Sequence, residues 1–196
     1  MTWKHAAGIT LVILLVGGCV RSLHGLYTDR DLVFKPGLLG VWKEEGEQNI
    51  WTFTQSTENQ YLLKFVQQGS ARQRGGAGAG PDSATFIVHM VNLEGRLFLD
   101  FYPEEPEVKT ELCKVHMLPV HTFWKIWIDS SGVRLAMLSH DWLKRKVDGG
   151  ELKIQHERVN EEIVLTAPTE ELQRMMVSVG GQDDAFAEPV ELVRAE

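Results

Sequence analysis

Two cysteines among 196 residues are too few for a disulfide scaffold, so stability has to come from an apolar core. Long hydrophobic runs are scarce too. The apolar stretch from Ala6 to Val16 stops well short of the roughly 20 residues that a helix needs to span a hydrocarbon core. Positive charge is in deficit, with 20 Lys and Arg against 27 Asp and Glu and a formal net charge of −7. That balance argues against nucleic acid, and against an anionic lipid surface, as the main partner. The one short basic run, Lys144-Arg145-Lys146, reads as a solvated face.

What is present at the N-terminus has a definite layout. A short region with Lys4 and His5 precedes the apolar run, which ends in Gly17 and Gly18. This is the three-part pattern of a secretory signal peptide. Val16-Gly17-Gly18-Cys19 resembles the lipobox of bacterial lipoproteins, in which an apolar and two small residues precede a cysteine that is lipidated and becomes the new N-terminus. Val stands at the first position where Leu is usual, and Gly at the second where Ala or Ser is usual. The resemblance implies that residues 1–18 are removed, that Cys19 carries the acyl chains, and that the partner is a membrane held through that anchor. Val20 rather than Asp follows the cysteine, so the resemblance favours the outer membrane if the host has one, with the protein facing the periplasm. Loss of Lys4 with the leader moves the formal charge from −7 to −8 and leaves Cys113 as the free thiol.

The remainder, 19–196, is long enough for one domain with a sizeable core. Residues 19–37, ending in Lys35-Pro36-Gly37, read as the lipidated cysteine and a tether, with Leu26, Leu32, Val33 and Phe34 available for local packing. From Leu38 the pattern turns to strands. "LLGVWKEE", "NIWTFTQ", "YLLKFVQQ", "ATFIVHMVN", "GRLFLDFY", "VHTFWKIWID", "GVRLAMLSH", "ELKIQHERV" and "EEIVLTA" are short, aromatic and β-branched, and turn residues separate them. "NLEGR" and "IDSSGV" are the clearest hairpin turns. Consecutive strands with tight links predict a mainly β domain over 38–196, a single antiparallel meander closing into a barrel. Two helices enter late. "HDWLKRKV" is short; "APTEELQRMMVSVGG" has Thr166 or Thr169 as cap, Pro168 in the first turn, Gly180-Gly181 as terminator, and an apolar stripe of Leu172, Met175, Met176 and Val179 for packing on the barrel.

Strand parity assigns the interior. Phe86, Val88 and Met90 alternate against Ile87, His89 and Val91, and Leu97, Leu99 and Phe101 against Phe98, Asp100 and Tyr102. With the neighbouring strands, the predicted barrel lining is Trp42, Trp51, Phe53, Leu63, Phe65, Val88, Met90, Leu99 and Phe101. Trp124 and Trp127 point to opposite faces of one strand. An apolar lining fits a solid core or a cavity equally well.

Gly40-Val41-Trp42 at the start of the first of these strands resembles the Gly-x-Trp of lipocalins and other calycins, whose Trp plugs one end of the barrel. The resemblance implies a lipocalin-like barrel with a C-terminal helix, and no particular ligand. The family's companion arginine on a late strand has Arg158 as its nearest candidate. Read together, the lipobox, "LVFKPGLLGVW", "DFYPEEPE", "LPVHTFWKI" and "IVLTAPTEELQ" also resemble a family of uncharacterised bacterial lipoproteins.

Residues with chemistry are sparse. Ser139-His140-Asp141 has the residue types of an acyl-transfer triad, but adjacent side chains diverge, so it reads as a strand-to-helix cap. His116 and His121 lack a third ligand at regular spacing and read as surface or turn histidines, giving no metal site. Glu104-Glu105-Pro106-Glu107 lacks the glycine and alternating carboxylates of a calcium loop, and "GSARQRGGAGAGP" (69–81) lacks the ending a phosphate cradle needs. Neither a catalytic set nor a cofactor is expected. Two noncatalytic readings stay open: a barrel binding an apolar small molecule, and an envelope structural or assembly factor with a protein partner. The alternative is an envelope hydrolase, which would require His89, Asp100 or His156 to converge in one polar pocket.

Overall fold

The computed structural model describes residues 19–67, 82–104, 110–130, 132–160 and 162–195. Residues 1–18, expected from sequence to be a signal peptide, the Gly-rich 69–81 stretch and Glu105–Glu107 lie outside the described residues. Among the described residues eleven strands are formed: β1 (Arg21–Ser22), β2 (Gly40–Glu44), β3 (Ile50–Thr57), β4 (Gln60–Gln67), β5 (Asp82–Leu93), β6 (Arg96–Pro103), β7 (Thr122–Ile128), β8 (Val133–Met137), β9 (His156–Val159), β10 (Glu162–Leu165) and β11 (Val190–Arg194). The helices are α1 (Glu111–Lys114), α2 (His140–Asp148) and α3 (Thr169–Val179).

Strands β2 to β8 form an antiparallel meander, and β11 closes it into an eight-stranded barrel in the order β11-β2-β3-β4-β5-β6-β7-β8. The fold is the mainly β barrel that the strand pattern predicts, with a helix towards the C-terminus, and its architecture is lipocalin-like, as the Gly-x-Trp resemblance implies. The closing strand differs from expectation. β9 and β10, expected to continue the meander, form a separate three-stranded sheet with β1, which pairs in parallel with β10. The chain leaves the barrel at Ser139, whose hydroxyl caps α2 by accepting from Trp142 N at 3.2 Å. It returns only after α3, as a short strand that sits between β8 and β2.

Two apolar cores result. The inner one fills the barrel and contains Trp42, Trp51, Phe53, Leu63, Val88, Met90, Leu99 and Phe101, with Phe65 packed against it at the margin. The outer one lies between the barrel wall and the layer of α2, α3 and the small sheet. Val91, Leu93, Phe98, Phe123 and Ala136 enter it from the barrel, and Leu172, Met175, Met176 and Val179 from α3. Strands β5 and β6 are therefore buried on both faces over part of their length, which is why "FIVHMV" and "RLFLDF" read as nearly continuous apolar runs. Trp124 faces the inner core and Trp127 the outer one. The turn joining β5 and β6 has Glu94 and Gly95 both at positive φ, the two-residue geometry that matches strand twist, and Asn92 Oδ1 accepts from Gly95 N at 2.9 Å.

Three sequence expectations are corrected. Residues 20–37 are not a tether. Val20, Ser22 and Leu26 are fully buried, Ser22 exchanges two backbone hydrogen bonds with His121 (2.9 and 2.8 Å), and Val33 N donates to Met90 O at 3.0 Å. The segment straps the outer wall because small Ser22 and Gly25 let it lie close, and neighbouring strands satisfy its backbone. The arginine beside Trp42 is Arg194 on β11, not Arg158, which pairs with Asp148 in the outer layer. The α3 cap position is Pro168 with no side-chain cap bond; the Thr169 hydroxyl instead donates to Gly25 O at 2.9 Å, joining helix to strap.

Candidate functional site

One end of the barrel is closed by local sequence. Gly40 has φ +127, a conformation that favours glycine, and a Cβ there would collide with Nη1 of Arg194. The Arg194 guanidinium lies 4.4 Å from the Trp42 ring and donates to Leu39 O (2.8 Å) and Gly37 O (3.1 Å). Trp42 Nε1 donates to Leu38 O at 2.9 Å. Beside them the Tyr61 hydroxyl accepts from Lys35 N at 2.6 Å, and Phe34 stacks on its ring at 4.6 Å. At mid-barrel Leu63, Val88, Met90, Leu99 and Leu135 have no exposure, so no water-sized gap adjoins them. Towards the other end the lining is aromatic. Trp51 meets Phe65 and Trp124 edge-on, and Trp124 stacks on Phe101 at 5.2 Å, with Phe65, Phe86 and Trp124 half-buried.

The polar groups gather on the outside of the wall. Asp100 lies on the outward face of β6, opposite His89 on β5, and is fully buried beneath the strap. A buried carboxylate needs partners. It has two: Leu26 N donates to Oδ2 at 2.6 Å, and His121 Nδ1 bonds Oδ1 at 2.7 Å. Gly25 makes the approach possible, since a Cβ there would stand 3.1 Å from Oδ2 and 3.3 Å from His121 Cε1. With Nδ1 donated to the carboxylate, Nε2 is the His121 nitrogen left for a molecule beside it. His121 packs on Tyr102 at 4.6 Å, and His89 stacks on Tyr27 at 4.0 Å.

These side chains border an open pocket of about 540 Å³ with Tyr27, His89, Tyr102, His121 and Gln60 as its polar lining and Leu23, Ile87, Leu118 and Pro119 as its apolar lining, Leu23, Leu118 and Pro119 being exposed. Burial holds His89 below the usual histidine range, against the pull of Asp100, so it is a neutral imidazole at pH 7. Burial, and then Asp100, push Tyr27 up. The pocket thus offers hydrogen-bonding groups, the neutral imidazole of His89 among them, beside apolar surface. The described lining has no Ser, Thr or Cys that could serve as a nucleophile.

His89 and Asp100 are thus brought together, while His156 is elsewhere, with Nδ1 bonded to Ile154 O at 2.8 Å. His121 is not an ordinary turn histidine, because the strap covers it and Asp100 orients it; His116 is exposed, with Nδ1 bonded to Leu112 O at 2.7 Å. Sequence reasoning missed Tyr27, Tyr102 and His121 as a set. The available signal was Asp100, a charge at an outward position in a strand apolar on both faces.

Cys19 is exposed and forms an isolated bridge with Ser139 at the start of the strap. Among the described residues no three His, Cys, Asp or Glu are grouped to hold a metal ion, and no helix is long and apolar enough to cross a membrane. Compared with family models, curated proteins and solved structures, the chain matches none.

Proposed function

We propose that this is a lipid-anchored protein of the bacterial envelope, held at Cys19 and facing the periplasm, whose barrel is a noncatalytic scaffold for binding a small amphipathic molecule. The observation that carries the binding reading is the pocket of about 540 Å³ on the outer wall, lined by apolar and hydrogen-bonding side chains together. An apolar body suits Leu23, Ile87 and Leu118, and a polar group suits His121 Nε2 and His89. The filled middle of the barrel favours this outer pocket over the deep interior as the place of binding. The anchor reading rests on the lipobox resemblance, and the outer membrane is favoured by Val20 after the cysteine.

The test is native mass spectrometry of the full lipidated chain released from membranes in mild detergent. We expect a discrete small-molecule adduct on the wild-type chain and none on Ile87→Trp, which puts a large side chain into the pocket lining. A clean mass for both would reject ligand binding and leave the structural or assembly role. In parallel, Cys19→Ala should accumulate unprocessed or soluble; unchanged tight membrane retention would reject the anchor.

A second reading is supported by the Asp100–His121 pair, which has the geometry of an oriented general base and would act on water, not through a protein nucleophile. Hydrolysis of simple esters by the wild-type chain, abolished in His121→Gln, would favour it.

A further inference from the structure

The connection between β6 and β7 carries an unusual surface. Leu112, Val115, Met117 and Leu118 are 72%, 75%, 52% and 71% exposed within seven residues, although large apolar side chains are ordinarily turned inward. We propose that this segment, with Leu23, rests in the surface of the bilayer that holds the anchor, so that the pocket opens towards lipid. The inference rests on the lipid-anchor reading of Cys19.

Connectivity is the argument for lipid as the occupant. Ser22 is three residues beyond Cys19 and is bonded on both sides of its backbone to His121, three residues beyond Leu118. At no more than about 3.5 Å per residue along each arm, Cys19 and Leu118 stand within about 25 Å of each other. The strap is docked along its length, leaving no slack by which the domain could stand off from an anchor at Cys19. The exposed leucines therefore stay within reach of the bilayer that holds an anchor at Cys19. Leu23, itself 39% exposed, and Leu118 also rim the pocket, so the face against lipid is continuous with the pocket mouth. The contact is apolar, in keeping with the chain's net negative charge.

Cys113, exposed in the middle of the segment, provides the probe. The full chain, processed in a bacterial envelope and reconstituted in phosphatidylcholine–phosphatidylethanolamine vesicles, is labelled with a thiol-reactive fluorophore. One label per chain is expected, because acylation blocks Cys19. Quenching by lipid carrying a nitroxide near the headgroup should exceed quenching by aqueous iodide, at low and high salt alike. Leu112→Asp/Val115→Asp/Leu118→Asp should stay in the membrane fraction through its anchor yet reverse that order. Iodide dominating in the wild-type chain would overturn the proposal with the anchor intact. Protection from both quenchers, with Cys113 cross-linking to Cys113 of another chain, would overturn it in favour of a second copy on this face. Two labels per chain and loss from the vesicles would mean that the anchor reading itself has failed, and the docking with it.

Discussion

Replacing Asp100 separates a structural charge from one that orients a pocket histidine. Its two carboxylate oxygens are the partners of Leu26 N at 2.6 Å and His121 Nδ1 at 2.7 Å, and the residue is fully buried. Hydrogen bonds to a charged group contribute roughly 1.5–3 kcal/mol each, and an orphaned buried donor costs about 1–3 kcal/mol. Asp100→Ala should therefore destabilise by about 3–5 kcal/mol. Asp100→Asn keeps the shape and still accepts from Leu26 N. Its amide NH₂, however, meets His121 Nδ1 donor to donor, so His121 must shift its proton to Nε2 to restore the bond. Burying an amide is also cheaper than burying a charge, and we expect a loss of only about 1–2 kcal/mol. Chemical denaturation at pH 7.5 measures the first quantity, and long-range ¹H–¹⁵N NMR of the imidazole reports the tautomer. The Asn variant should thus be nearly as stable as wild type yet lose the pocket adduct, because Nε2 has become a donor. Equal destabilisation by Asn and Ala, or a His121 that keeps its proton on Nδ1 in Asp100→Asn, would falsify the assignment.

Two further outcomes follow from the closed barrel end and from the pocket. Gly40→Ala should cost about 2–4 kcal/mol in denaturation, since a strained backbone position costs roughly 1–3 kcal/mol and the added Cβ expels Arg194 from its seat on Trp42; Arg194→Met alone should cost about 1 kcal/mol, and the two losses should fail to add. Because burial lowers the folded-state affinity of His89 for a proton, the folded protein binds fewer protons than the unfolded chain once the pH drops below about 6.5. Stability is then full above that pH and falls as the pH moves down through the folded-state value. Thermal unfolding at pH 7.5 and 5.5 should show a smaller difference in His89→Gln than in wild type, and an identical difference would exclude His89 as the titrating group.

The barrel was legible because strands β2 to β8 follow one another in chain order, four of their six links being short, and keep two-residue periodicity on the inner face. Trp51, Phe53, Leu63, Val88, Met90 and Leu99 occupy that face one register after another, Trp51 opposite Phe65 and Met90 opposite Leu99. Closure was not legible. β11 reads "VELVR", with Leu192 as its one fully buried residue, and no local pattern distinguishes so short a strand from a charged tail. Its place is set by the barrel itself, whose β2 and β8 edges would otherwise remain unpaired. The same gap in the sequence signal misassigned β9 and β10. Their alternation is genuine, but they pair with each other, and β10 takes as its second neighbour a two-residue strand from a segment that has no periodicity, a partner only tertiary contact can choose.

The site was half legible for a related reason. Parity puts His89 and Asp100 on the outward face, and the sequence offers them as candidates for a shared pocket. What completes the pocket comes from "SLHGLY" and "LPVH", two segments that read as connectors because connectors carry no period. A buried charge nonetheless demands a donor, and the donors to Asp100 come from these very segments, Leu26 N from one and His121 from the other. The strap is therefore held by the group it covers. Removing Asp100 should loosen Leu23 and Tyr27 together with His121, so one buried carboxylate sets both the tautomer at the base of the pocket and the closeness of its apolar rim.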